Sequence, residues 1–180
     1  MCEENCIVSK MVNKAIANAK FHSINLYPGS KVQRHGDCLF ESVLDNLIQR
    51  DCFEENPTEG PSFLRHLWMT EIENIAFDDW NEGRTKEEWK SAFPLVKQPG
   101  IFDVSLGDLV APGIAHCIKK NLLIFNTSHE AFCPVYVVPA SIFGGSSDTD
   151  VPICLAYNQS HYESLIPFSH EDIEQTVSFI

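Results

Sequence analysis

An amphipathic run behind a Gly-Asp-Cys turn limits this chain more than any other feature. After Cys38, the residues Leu39, Phe40, Val43, Leu44, Leu47 and Ile48 step by three and four, which gathers them on one face of a helix. The spacing predicts a helix from Cys38 to about Arg50. Such a stripe is stable only when a second layer covers it, so the rest of the chain must supply that layer.

Three further segments read as helices. In Ile7 to Phe21, Ile7, Met11, Ile16 and Ala19 fall at roughly helical spacing, and in Phe63 to Phe77 the inward set is Leu64, Leu67, Trp68, Ile72, Ile75 and Ala76. In Asp108 to Lys120, Leu109, Ile114, Ala115 and Ile118 share a face despite Pro112 and Gly113. A short helix is expected around Thr85–Phe93, inside an otherwise irregular, charged stretch from Asp78 to Asp103. Tyr27-Pro28-Gly29-Ser30 reads as a turn, Lys31 to Asp37 as a short extended lead into Cys38, and Asn56 to Pro61 as a loop.

Strand patterns cluster toward the C-terminus. Leu122–Phe125, Pro134–Val138, Val151–Tyr157 and His161–Pro167 are apolar or alternating, and Asn158-Gln159-Ser160 joins the last two as a hairpin. Phe143 to Asp150 reads as a flexible connection. Helices followed by strands imply an α+β class with a mixed, largely antiparallel sheet. With 180 residues, no internal repeat and no linker, one domain over residues 1–180 is expected.

Charge narrows the function classes. Lys and Arg number 13 against 25 Asp and Glu, a net −12. That field repels nucleic acid, whose binding depends on neutralising phosphates, and it disfavours anionic membranes. Between Asn121 and Ile180 there is no Lys or Arg, but there are seven acids: Glu130, Asp148, Asp150, Glu163, Glu171, Asp172 and Glu174. The N-terminus carries early glutamates and no apolar run, and the longest uncharged stretch is too short to span a bilayer. Seven cysteines without a CxxC pair point to a reducing, cytoplasmic setting with free thiols. No phosphate-binding loop or GxSxG elbow is present, and His116-Cys117 lacks the second pair a zinc site needs, so no metal or cofactor is expected.

Two segments carry chemistry. Cys38 opens the strongest helix, where the helix dipole and unpaired amides favour a thiolate. The amides of residues 35 to 38 can converge on an oxyanion beside the sulfur, with Gly36 allowing the tight turn. His161 follows a polar turn, and Glu163, two residues on, shares its face of a strand while Tyr162 points away. A carboxylate there orients the imidazole and favours its charged form. The same residues also fit a buried cysteine in a turn and an alternating edge strand.

The segments His35-Gly36-Asp37-Cys38-Leu39-Phe40 and His161-Tyr162-Glu163-Ser164 resemble the nucleophile and histidine motifs of the ovarian-tumour (OTU) family of cysteine proteases. Leu64-Arg65 and the block Gly107-Asp108-Leu109…Ile114-Ala115 with Leu122–Phe125 resemble its middle region, so the likeness runs from about Leu26 to Pro167. Residues 1–25 then form an N-terminal helical extension. The resemblance implies a papain-like α+β fold, with helices packed on a small mixed sheet, and hydrolysis of isopeptide bonds at the C-terminus of ubiquitin, polyubiquitin or a ubiquitin-like protein. Cys38 would be the nucleophile, His161 the general base and Glu163 its orienting acid. Backbone amides of His35, Gly36 and Asp37 would form the oxyanion hole, without metal or cofactor, in a monomer.

The chain departs from the family pattern in three places. The usual Asp three residues before the cysteine is His35, the usual Asp or Asn after the histidine is Glu163, and the usual Trp-Gly is Leu106-Gly107. This divergence is compatible with a viral, bacterial-effector or mobile-element origin, in which case the host cytosol is the setting. Two alternatives stand beside the protease: a catalytically silent ubiquitin-binding module, and another papain-like thiol acyl-transfer enzyme such as a transglutaminase. Since the resemblance implies a basic ubiquitin face, the cation-free last third is a candidate docking surface.

Overall fold

The computed structural model describes residues 2–32, 35–50, 60–74, 87, 88, 90, 91, 94, 98–101, 107–141, 151–167, 169, 171, 172 and 174. Among these residues, four helices flank one five-stranded sheet. The helices are α1 (Cys2–Phe21), α2 (Cys38–Gln49), α3 (Gly60–Asn74) and α4 (Gly107–Ile118). The strands are β1 (Leu26–Pro28), β2 (Leu122–Asn126), β3 (Val135–Val138), β4 (Ile153–Tyr157) and β5 (Tyr162–Pro167). They lie in the order β1-β5-β4-β2-β3, with β2 and β4 parallel and every other neighbour antiparallel. This is the mixed, mostly antiparallel α+β arrangement expected from the order of helical and strand patterns.

The sheet is covered on both sides, which explains why β2 is apolar throughout. Its odd and even residues feed two cores. Leu122 and Ile124, with Ile153 and Leu155, join α2, α3 and α4 through Leu39, Phe40, Val43, Leu44, Leu64, Trp68, Met69, Val110 and Ile114. Leu123 and Phe125, with Cys154, Ala156 and Leu165, meet Met11, Val12, Ala15 and Ala19 of α1. A strand buried on both faces reads as a continuous apolar run rather than an alternation. Trp68 is fully buried, with Phe40 edge-on at 6.1 Å between ring centroids, and burying each such side chain stabilises the fold by roughly 2–3 kcal/mol.

Several local expectations change. α1 begins at Cys2 rather than Ile7, and its buried line is Met11, Ala15 and Ala19, leaving Ile7 exposed. α3 begins at Gly60, because Pro61 suits the first turn of a helix, where its missing N–H costs nothing. Its inward face is Leu64, Arg65, Trp68 and Met69, while Leu67 is only half-buried. Tyr27-Pro28 is not a turn but part of edge strand β1, paired with Ile166 and Leu165. Proline is tolerated there because an edge strand leaves one side of its ladder unpaired. His35 to Cys38 is a turn closed by the Cys38 N–H on His35 O at 3.1 Å, not an extended lead.

The helix carrying Pro112 forms as expected, as does the β4–β5 hairpin, whose turn places Gln159 at φ 73°. Residues 87, 88, 90 and 91 are helical, in keeping with the Thr85–Phe93 expectation. The rest of that segment, the 51–59 part of the loop after α2, Ile75–Phe77 and Phe143–Asp150 lie outside the described residues.

Candidate functional site

The candidate site forms where the chain leaves edge strand β1 and crosses to α2. Gly29 N–H donates to Ser164 O at 2.9 Å, so the crossing segment starts against β5. At its far end Cys38 occupies the first position of α2, buried to 8% exposure. The segment passes Glu163 on the way, and Val32 N–H donates to Glu163 Oε2 at 3.3 Å.

His161 and Glu163 are brought together as their spacing predicts. His161 is fully buried, and its Nε2 lies 2.7 Å from Glu163 Oε1, with Glu163 only 3% exposed. With Nε2–H donating to the carboxylate, Nδ1 is the nitrogen left for Cys38, and it completes no hydrogen bond among the described residues. Burial alone would lower the His161 pKa. Hydrogen bonding and charge at Cys38, and then at Glu163, overcome that cost and raise it to about 9. The arrangement therefore favours an imidazolium beside the sulfur.

Burial also acts on three further thiols. Burial pushes Cys117 and Cys154 up to about 12 and raises Cys133 as well. Cys117 and Cys154 therefore stay protonated at neutral pH, and the thiolate is the reactive form. Cys38, Cys117, Cys133 and Cys154 are all free thiols.

Residues not singled out by pattern reasoning hold the two halves of the site in place. Cys38, Ser42 and Asn46 recur every four residues along α2. The Ser42 hydroxyl donates to Cys38 O at 2.8 Å, and Asn46 Nδ2 donates to Ser42 O, Cys154 O and Ser164 Oγ at 3.3, 3.2 and 2.7 Å. This polar stripe joins the nucleophile's helix to β4 and β5, one residue from Glu163. It interrupts the apolar face at i, i+4 and i+8, which is its only trace in the sequence.

A second clamp fixes the turn before Cys38. Arg65, 2% exposed, donates from Nε to Asp37 Oδ1 at 2.8 Å and also contacts that oxygen through Nη2. Its other bonds reach Gly36 O and Ile101 O, both at 3.0 Å, while its guanidinium lies 4.6 Å from the centre of the Phe40 ring. Asp37 Oδ2 accepts the Gly100 N–H at 2.5 Å. Asp37 thus supports the loop with its side chain. A buried arginine in the first turn of a predicted helix gives no sign of its partner in sequence.

The turn amides already have acceptors. Gly36 N–H donates to Gly100 O at 3.2 Å, Asp37 N–H to His35 Nδ1 at 3.1 Å and Cys38 N–H to His35 O at 3.1 Å. His35 Nε2 lies 3.0 Å from Glu41 Oε1, which places the ring proton there. Gly36 is required for close approach rather than for an unusual φ: a Cβ would stand 2.3 Å from Gly100 O. Gly100 does adopt positive φ, at 77°. Among the described residues no His, Cys, Asp and Glu side chains gather as a metal site.

Among the described acids of the cation-free last third, Glu163 and Asp172 are bound within the fold. Glu163 is bound to His161, and Asp172 accepts from Asn25 Nδ2 at 2.6 Å and from the Ser169 hydroxyl at 2.7 Å. Glu130, Glu171 and Glu174 are exposed.

No family model and no curated protein matches the sequence. Solved structures do match. The OTU domain of OTUD1 superposes with a TM-score of 0.61 at 13% identity, covering 88% of this chain and 95% of that one. The viral OTU domain protease from Taggert virus gives 0.57 at 16% identity, with 81% of each chain covered. With α2, α3 and α4 on one face of the mixed sheet and Cys38 facing His161 at its end, this chain has an OTU-type fold.

Proposed function

We propose that the protein is a cysteine protease that cleaves isopeptide bonds at the C-terminus of ubiquitin or a ubiquitin-like protein. The observation that carries the reading is the buried His161–Glu163 pair, which leaves Nδ1 for Cys38 at a helix N-terminus. The OTU-type fold supports the choice of substrate class.

In this reading the Cys38 thiolate attacks the carbonyl carbon of the scissile bond, and the carbonyl electrons move to oxygen as an oxyanion. When that intermediate collapses, the C–N bond breaks and the His161 imidazolium gives its proton to the departing lysine amine. A thioester remains. Water then attacks it, His161 takes one of the water's protons, and collapse expels the Cys38 thiolate and frees the carboxylic acid, which gives its remaining proton to solvent. Glu163 keeps the Nε2–H oriented throughout, and the amides of the His35–Cys38 turn receive the oxyanion.

A ubiquitin probe carrying a C-terminal electrophile tests the proposal. Cys38 should be labelled, and Cys38→Ser should not. Absence of labelling in the wild type, or labelling that survives the substitution, overturns it.

A further inference from the structure

An amide carries one hydrogen, so it cannot serve its resting acceptor and an oxyanion fully at the same time. Gly36, Asp37 and Cys38 all donate elsewhere in this structure, and the Asp37 N–H goes to a side chain rather than to backbone. His35 Nδ1 accepts it at 3.1 Å in the i→i+2 position that an Asn or Asp oxygen takes in an Asx turn. Glu41, in the first turn of α2, fixes the ring from the other side by accepting from Nε2 at 3.0 Å. The His35 side chain is 33% exposed, so the latch lies at the surface of the site rather than in the core.

We propose that His35 is a positioning residue that holds the anion-binding turn in a resting form, acting through the Asp37 amide. The inference rests on the protease reading and deepens it. In the resting form the His35 imidazole neutralises part of the turn's capacity for an anion. When negative charge develops on the substrate oxygen beside Cys38, the Asp37 N–H exchanges a neutral nitrogen acceptor for a charged oxygen, the stronger partner. The bond to His35 is lost in that exchange, so it subtracts from transition-state stabilisation. The Asp37 carboxylate stays gripped by Arg65 and the Gly100 N–H, which confines the change to the peptide and ring. His35 thus trades rate for a closed resting site.

Removing the acceptor should raise kcat, whereas a merely structural His35 would do the reverse. With a fluorogenic ubiquitin C-terminal amide, His35→Ala should increase kcat by about 2- to 10-fold, the factor one net hydrogen bond represents. KM should stay within about twofold, because the ground-state complex does not use the amide. Ubiquitin aldehyde, whose adduct with Cys38 carries the same oxygen, should inhibit His35→Ala more tightly by a similar factor. His35→Asn, which keeps an acceptor in the Asx position, should cancel both gains.

A fall or no change in kcat for His35→Ala, an effect confined to KM, or a gain shared by His35→Asn overturns the inference. If the wild type cleaves no ubiquitin substrate, the protease reading fails separately, and the latch is then read by NMR. Asp37 amide exchange should be faster in His35→Ala and slowed again in His35→Asn. Equal exchange in all three proteins removes the latch.

Discussion

Replacing Glu163 by Gln keeps the size of the side chain and removes its charge, which isolates what the carboxylate does for His161. The imidazole pKa stands at about 9 against an ordinary 6.5, although the ring is fully buried. At about 1.4 kcal/mol per unit, the net preference for the imidazolium is roughly 3 kcal/mol. Cys38 and Glu163 supply it together, so losing the carboxylate should remove about 1–2 kcal/mol and lower the pKa by about one unit. The amide also cannot satisfy both neighbours: one end must meet His161 Nε2–H and the other Val32 N–H, and both of these are donors. The assay is hydrolysis of a fluorogenic ubiquitin amide between about pH 6 and pH 10. In the wild type, kcat/KM should fall on the alkaline side near the pH where His161 loses its proton. In Glu163→Gln that limb should move to lower pH, and kcat should drop by about tenfold or more. A variant within about twofold of wild type with an unmoved limb would refute Glu163 as the group that orients and charges His161.

Three further outcomes follow from the same contacts. Because the folded pKa of His161 is raised, its proton stabilises the fold fully below about pH 6.5, and this contribution is lost as pH rises through about 9. Thermal unfolding should therefore show Tm falling more steeply across that window in wild type than in His161→Gln. Arg65→Leu leaves the Asp37 carboxylate buried without its cation and should cost about 3–5 kcal/mol in urea unfolding. Adding Asp37→Asn should recover part of that loss, since the two side chains are in direct contact. Gly36→Ala drives a Cβ into Gly100 O, so stability should fall by about 1–3 kcal/mol and probe labelling of Cys38 should slow. Unchanged labelling would show that the turn tolerates displacement from residues 98–101.

Local pattern was enough where a residue's neighbours in sequence are also its neighbours in space. The α2 stripe, the helix through Pro112 and the β4–β5 hairpin are of this kind, as is the pairing of His161 with Glu163, which needs only the two-residue period of a strand. Pattern misled where a distant element decided the outcome. Pro28 looks like turn chemistry until β5 supplies a ladder on one side of it, and Ile7 looks buried until the sheet selects Met11, Ala15 and Ala19. Arg65 stood out in the sequence only as half of a Leu-Arg pair, and its partners at Gly36, Asp37 and Ile101 stayed hidden because long stretches of chain separate them from it.

The same division holds for the site. Sequence alone determined that a cysteine opens the strongest helix and that a histidine and a carboxylate share one strand face, because side-chain direction follows from local backbone periodicity. It also determined the acidic balance and the α+β order. Tertiary structure decided that His161 is charged beside Cys38, that burial raises the thiols of Cys117, Cys133 and Cys154, and that the turn amides rest on His35 and Gly100. Those features depend on which groups exclude water and which acceptors come within about 3 Å, and no periodicity along the chain encodes such distances.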